Sequence, residues 1–255
     1  MSITSPPCIA DASFVEQLVF ELAVPEPPSF ANFLAGRNAE LVDTLLAFVT
    51  GGSETGMLIW GGPGVGKTHL AHAAVGLAQE SGLGARMFAH PRDIDDEALA
   101  SVSASAEQLI AVDGIDLADE AAAARLFTLY NAIKERQARL IATSRTPLAA
   151  LSLREDLRTR LGWGLVYELL ALEDDAKPAA LALYARSRGI VLSDDVIEYL
   201  LRHGRRDMPS LLATLAALDR QSLATKRPIT VPLLKGWLQR ELEWKPAAAD
   251  TRHNA

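Results

Sequence analysis

With 255 residues, 49% hydrophobic and 22% charged, the chain holds enough apolar material for a full core, as one large domain or a medium one with a small partner. Collagen-like, disordered and disulfide-stapled classes are excluded, and Cys8, the only cysteine, allows neither an intramolecular disulfide nor a cysteine-ligated structural zinc. A formal net charge of −7 argues against a large phosphate-binding surface for DNA or RNA, because such affinity rests on Lys and Arg neutralising phosphates.

Residues 1–28 carry Pro6, Pro7, Pro25, Pro27 and Pro28, and their only charged side chains are acidic, which reads as a flexible, extended arm. Within it Leu18, Phe20 and Leu22 alternate with Val19 and Glu21, the period of an extended peptide, and apolar residues in such an arm require a partner. No Lys or Arg precedes Arg37, so the basic start of a secretory signal or presequence is missing. No apolar run approaches the roughly 20 residues of a membrane span. A cytoplasmic protein without membrane contact is expected.

From Asn38 onward Leu41, Leu45, Leu46 and Val49 have helical spacing, closed by Gly51-Gly52. Met57–Trp60 is a short apolar run followed by a glycine-rich turn and a helical stretch from Lys67 to about Gln79. Strand patterns recur at 85–89, 109–112, 140–142 and 166–169, and residues 119–136 form a well-marked helix with an acid at its start and Leu126, Leu129, Tyr130 and Ile133 on one face. Such alternation predicts an α/β body, a parallel sheet flanked by helices, over residues 29–171. Past Leu172, stretches 175–188, 194–202, 207–223 and 231–242 read as helices, so a small all-helical domain is expected over 172–243, with a disordered tail at 244–255.

Gly61-Gly62-Pro63-Gly64-Val65-Gly66-Lys67-Thr68 satisfies G-x-x-x-x-G-K-[ST] between a strand and a helix, the context that the phosphate-binding loop requires. Its glycines let backbone N–H groups surround a phosphate, Lys67 reaches the β/γ oxygens and Thr68 ligates Mg²⁺. Asp113 ends the apolar strand Leu109–Val112, where a carboxylate faces the metal of such a site. Self-sufficient ATPases of this layout commonly place a second acid next, to orient the attacking water; this chain has Gly114, and Asp116 lies two residues further on. Thr143 follows another apolar strand, so its hydroxyl either faces the γ-phosphate region or belongs to a plain turn before Pro147. His69 and His72 lack a third ligand in sequence reach and read as helix-face contacts rather than a metal site. The acidic run Asp93, Asp95, Asp96 and Glu97 reads as a solvated face.

Together these residues resemble the DnaA/Hda family of AAA+ proteins, over about Gln17 to Leu238, and resemble its short Hda branch more than the replication initiators. Phe30-Ala31-Asn32-Phe33-Leu34-Ala35-Gly36-Arg37-Asn38 is similar to the family's F-x-x-F-x-x-G-x-N segment, which implies that Phe33 helps surround the adenine. Gly66-Lys67-Thr68-His69-Leu70 resembles the family's form of the loop and helix, which places His69 at the nucleotide. Phe127–Ile133 is similar to the helix after the acidic strand. Arg160-Leu161-Gly162-Trp163-Gly164 resembles the segment carrying the arginine finger, so Arg160 takes that role by position. Gln17-Leu18-Val19-Phe20-Glu21-Leu22 resembles the Q-L-x-[LF] peptide that docks on the polymerase sliding clamp, which implies clamp contacts for Gln17, Leu18, Phe20 and Leu22. The lid arginine that contacts nucleotide in the family is replaced by Pro209, with Arg205 and Arg206 as nearby substitutes.

The resemblance implies a negative regulator of replication initiation: a protein holding ADP or ATP with Mg²⁺ through Gly61–His69, Asp113, Thr143 and Phe33. It would dock on the DNA-loaded clamp and stimulate hydrolysis of DnaA-bound ATP through Arg160. Its partners would be DnaA and the clamp, with DNA reached only through the clamp and a nucleotide-dependent homo-oligomer open. The chain ends about where the initiator's DNA-binding domain would begin, so direct origin recognition is not expected. Gly114 and Pro209 together predict weak or absent hydrolysis by the protein alone. The alternatives are an autonomous AAA+ ATPase, such as a DnaC-type helicase loader or a transposition helper, and a small-molecule kinase using the same loop.

Overall fold

The computed structural model describes residues 26–51, 53–104 and 107–243. The arm peptide with Gln17, Leu18, Phe20 and Leu22, and the tail at 244–255, lie outside the described residues. Five strands, β1 (Gly56–Trp60), β2 (Gly84–Phe88), β3 (Glu107–Val112), β4 (Arg139–Ser144) and β5 (Leu165–Glu168), form one parallel sheet in the order β2-β3-β4-β1-β5.

The central strands β1, β3 and β4 carry apolar runs because both faces of the sheet are covered there. Leu58, Ile110, Val112, Leu140 and Ala142 point to one side, where α3 (Asp96–Ala104), α4 (Glu120–Glu135) and α5 (Glu155–Leu161) bury Val102, Leu126, Leu129, Ile133 and Leu157 against them. Their neighbours Met57, Ile59, Leu109, Ala111 and Ile141 point to the other side, onto α1 (Ala39–Thr50) and α2 (Lys67–Glu80) with Leu45, Phe48, Leu70 and Ala74. The strand period of two therefore divides the core cleanly. Helix α4 starts where its acid predicts, with Asp119 Oδ1 accepting from the Ala122 amide at 2.8 Å.

Helix α3 is an addition to the sequence reading. Asp93, Asp95, Asp96 and Glu97 are solvated as expected, yet Asp95 Oδ1 accepts from the Ala98 amide at 2.7 Å and caps the helix, whose Leu99 and Val102 pack on α4's side of the core.

The C-terminal helices α6 (Lys177–Ser187), α7 (Asp194–His203), α8 (Met208–Thr225) and α9 (Val231–Glu243) enclose their own core around Leu181, Leu200, Leu211, Leu215 and Leu234. Asp207 caps α8 by accepting from the Ser210 amide at 2.9 Å, and Pro209 sits in the first turn, where its missing N–H costs nothing. No helix of the described residues is long and apolar enough to cross a membrane.

Candidate functional site

The phosphate loop joins β1 to α2 at the carboxyl end of the sheet, and its glycines are there for space as much as for conformation. Gly61 donates its amide to the Ser144 carbonyl at 3.1 Å, and a Cβ on Gly61 would lie 2.4 Å from the Leu169 carbonyl oxygen. Gly64 and Gly66 have φ of +71° and +109°. A Cβ on Gly64 would meet Pro209 Cγ at 2.1 Å, and one on Gly66 would meet Phe33 Cε2 at 2.7 Å. The loop is thus pressed between the segment preceding α1 and the first turn of α8.

Lys67, 9% exposed, donates its ammonium to the carbonyls of Gly61 and Gly62, each at 2.7 Å. Burial pushes its pKa below the ordinary value, while the Asp113 and Asp116 carboxylates act in the opposite sense. Asp113 gathers both hydroxyls named from the sequence: Thr68 donates to Oδ2 at 2.7 Å and Thr143 donates to Oδ1. Thr143 is fully buried and also accepts from the Gly114 amide at 2.9 Å. A hydroxyl and a carboxylate in contact beside a phosphate loop are the donor set a hard divalent cation takes, so Thr68 and Asp113 fit Mg²⁺. Thr143 is thereby bonded to Asp113, while Ser144 forms the turn toward Pro147, accepting from the Thr146 amide at 3.0 Å.

Gly114 has no side chain, so the position after Asp113 supplies no carboxylate, and its backbone is left-handed, φ +67°. Asp116 does not stand in for it. One of its oxygens accepts from the Arg145 amide at 2.9 Å and the other from Arg145 Nε at 2.7 Å.

Beside the loop lies a cavity of about 470 Å³, walled by Phe33 and Leu34, by Val65 and His69, and by Tyr184, Met208 and Leu212 of the helical domain. His69 donates Nε2–H to the Ser29 carbonyl at 3.0 Å, and its ring centroid lies 5.5 Å from that of Phe33. Burial lowers its pKa, so the imidazole is a neutral strut between α2 and the preceding segment. Asn38 ties the segment before α1 to the chain leaving β5, donating to the Leu170 carbonyl at 3.1 Å and accepting from the Leu170 amide at 2.8 Å. Its place in the resemblance motif is explained by this clamp. The size, the apolar walls and the adjoining loop suit a purine base with its phosphates. Among the described residues no cluster of three His, Cys, Asp or Glu is disposed to bind a metal, and His69 and His72 make no such site.

Arg160 is not among the residues lining that cavity. It sits on α5, where its guanidinium donates to Asn131 Oδ1, lies 4.6 Å from the Phe127 ring centroid and 5.9 Å from that of Trp163. The Tyr130 hydroxyl donates to the Arg160 carbonyl at 3.0 Å. Trp163 is 58% exposed, with Lys134 Nζ 4.6 Å from its ring. The sequence assigns no role to Phe127 or Asn131; their spacing of four on one helix face is the signal it carries. Arg205 pairs with Asp207, Nε to Oδ2 at 3.3 Å, and Pro209 itself packs on the loop.

A family model of the bacterial DnaA ATPase domain matches residues 26–168, and a model of the Hda lid domain matches residues 174–238. Among solved structures, domain III of the Thermotoga maritima replication initiation protein DnaA is 17% identical, with a TM-score of 0.74 over 85% of this chain and 98% of that one. AMPPCP-bound DnaA from Aquifex aeolicus is 17% identical, with a TM-score of 0.68 over 85% of this chain and 70% of that one. The Thermotoga maritima RuvB Holliday junction branch migration motor is 18% identical, with a TM-score of 0.64 over 84% of this chain and 72% of that one. At these identities the likeness is one of fold.

Proposed function

Because the chain belongs to the family of bacterial DnaA ATPase domains, and its C-terminal helices match the Hda lid, we propose that it is an Hda-type regulator of replication initiation. It holds ADP or ATP in the cavity between Phe33, His69 and the lid, with the phosphates on Gly61–Thr68 and Mg²⁺ on Thr68 and Asp113. A bound nucleotide fixes the lid against the body. Nucleotide binding draws support from the fit of loop and cavity, and from the AMPPCP-bound DnaA of the same fold.

Arg160 carries the proposal. Asn131, Phe127 and the Tyr130 hydroxyl hold it on a surface beside exposed Trp163. A guanidinium so held is suited to act in trans, on ATP bound by DnaA, where it stabilises charge developing on the transferring phosphoryl group. Such a residue is worth roughly 10³ to 10⁵ in rate in GTPase systems. Absence of a carboxylate at Gly114 and engagement of Asp116 with Arg145 support weak hydrolysis by the protein itself.

The arm brings this surface to its target. Gln17, Leu18, Phe20 and Leu22 dock on the sliding clamp, so DNA is reached only through the clamp. Hydrolysis of DnaA-bound ATP, followed with and without clamp loaded on DNA, tests this. Acceleration that depends on the clamp and is lost in Leu18→Ala/Phe20→Ala supports the reading. Acceleration independent of the clamp contradicts the docking role, and robust turnover by the protein alone, lost in Lys67→Ala, would establish the autonomous ATPase instead.

A further inference from the structure

We propose that Trp163 is the anchor by which this chain grips the protein whose ATP it acts on. Its indole is buried against an apolar, acid-rimmed patch beside the partner's nucleotide and supplies affinity, while Arg160 supplies rate. The proposal rests on the reading of Arg160 above and adds the residue that brings the guanidinium into place.

Trp163 is 58% exposed and is the largest of the exposed hydrophobic side chains among the described residues. Single exposed apolar residues are ordinary on a protein surface, and Val191 and Leu223 are of that kind. Trp163 differs because both its backbone and its ring are held. On one side Gly162 closes α5, donating its amide to the Arg158 carbonyl at 3.1 Å, and the Trp163 amide donates to the Arg160 carbonyl at 3.2 Å. On the other side Gly164 leads into β5 so close to β1 that a Cβ there would lie 2.2 Å from the Gly56 carbonyl oxygen. Leu161 and Leu165, two residues away in each direction, join the core. The ring stands between two cations, with Lys134 Nζ 4.6 Å and Arg160 Cζ 5.9 Å from its centroid. A large aromatic side chain fixed in this way loses little conformational entropy on being covered.

Charge decides the kind of surface that covers it. The chain carries a net charge of −7, yet neither Lys134 nor Arg160 has an ion-pair partner among the described residues. Trp163 and Arg160 border an open depression on α5, together with Arg154, Glu155, Asp156 and Thr159, and there Arg154 is already paired with Asp156 at 2.9 Å. Two cations without carboxylates beside an exposed indole match a surface that combines apolar area with negative charge. The surroundings of a bound triphosphate supply that charge. Arg160 and Trp163 are three residues apart on one fixed stretch of chain, so a partner that covers the indole receives the guanidinium at its nucleotide.

Initial rates of hydrolysis of DnaA-bound ATP test this, measured over a range of DnaA concentrations with the chain held on DNA-loaded clamp. Trp163→Ala is expected to raise the half-saturating DnaA concentration at least about tenfold, the scale of losing an aromatic hot spot, with the plateau rate within about twofold. Trp163→Phe recovers part of the loss, and Arg160→Ala lowers the plateau instead. ADP affinity of the isolated chain should stay within about twofold in both Trp163 variants. An unchanged half-saturating concentration in Trp163→Ala, or a fall in plateau alone, overturns the anchor and leaves the Arg160 reading in place. Equal loss of ADP affinity and of thermal stability in Trp163→Ala and Trp163→Phe would give the indole a structural role and also overturn it. Absence of acceleration by the unsubstituted chain overturns the anchor together with the reading on which it rests.

Discussion

Lys67 rests its ammonium on the Gly61 and Gly62 carbonyls, partners that phosphate oxygens can replace. Lys67→Ala is expected to weaken nucleotide binding by roughly 10- to 100-fold, the worth of one or two charge-assisted hydrogen bonds, in equilibrium titration with a fluorescent nucleotide. His69 bears on stability instead. Burial holds its folded-state pKa below the ordinary 6.5, against the raising effect of the Ser29 carbonyl, so the unfolded chain binds the proton more tightly. The stabilisation is complete above about pH 6.5 and declines as pH falls toward the folded value. Melting temperatures followed from pH 7.5 to 5 should drop more steeply for the unsubstituted chain than for His69→Gln. Parallel curves would mean that the imidazole is not held neutral.

At the scale of elements, the phosphate loop meets α8 where Gly64 leaves room for the Pro209 ring. A methyl group at position 64 would overlap Pro209 Cγ in a backbone with φ of +71°, so Gly64→Ala should cost about 1–3 kcal/mol and loosen the lid. Removing the ring in Pro209→Ala relieves the overlap but not the backbone strain. A double-mutant cycle read by denaturant unfolding should therefore show coupling of about 0.5 kcal/mol or more. Strict additivity would place the lid away from the loop. Helix α4 does comparable positioning elsewhere: Phe127 and Asn131, one turn apart, hold Arg160 from its side. Asn131→Ala should leave the fold and nucleotide affinity intact while lowering the stimulation of DnaA by at least about threefold.

Over the whole molecule, what could be read from the sequence was what is local. The strand before Gly61, the loop and the helix after Lys67 lie in one continuous run, and the apolar runs of the buried strands stand out because both faces of the sheet are covered. The Asp119 and Asp207 caps are likewise settled within three residues. Pairings across long stretches were not legible: Asp116 with Arg145, Asn38 with Leu170 and Pro209 with Gly64 depend on which strand ends the topology brings together. Thr143 illustrates the boundary, since its bond to Asp113 joins residues 30 apart at the ends of neighbouring strands. Helix α3 is capped by Asp95, an acid whose run reads in the sequence only as a solvated face.

The central claim is that a protein with a nucleotide site poorly equipped for its own hydrolysis uses Arg160 on another protein's nucleotide. Single-turnover hydrolysis of ATP bound to DnaA, with clamp loaded on DNA and either the unsubstituted chain or Arg160→Ala, tests it most directly. The account predicts that Arg160→Ala folds, binds nucleotide and clamp as before, and loses the acceleration by about 10³ or down to the unstimulated rate. Full acceleration by Arg160→Ala under the same conditions would contradict it.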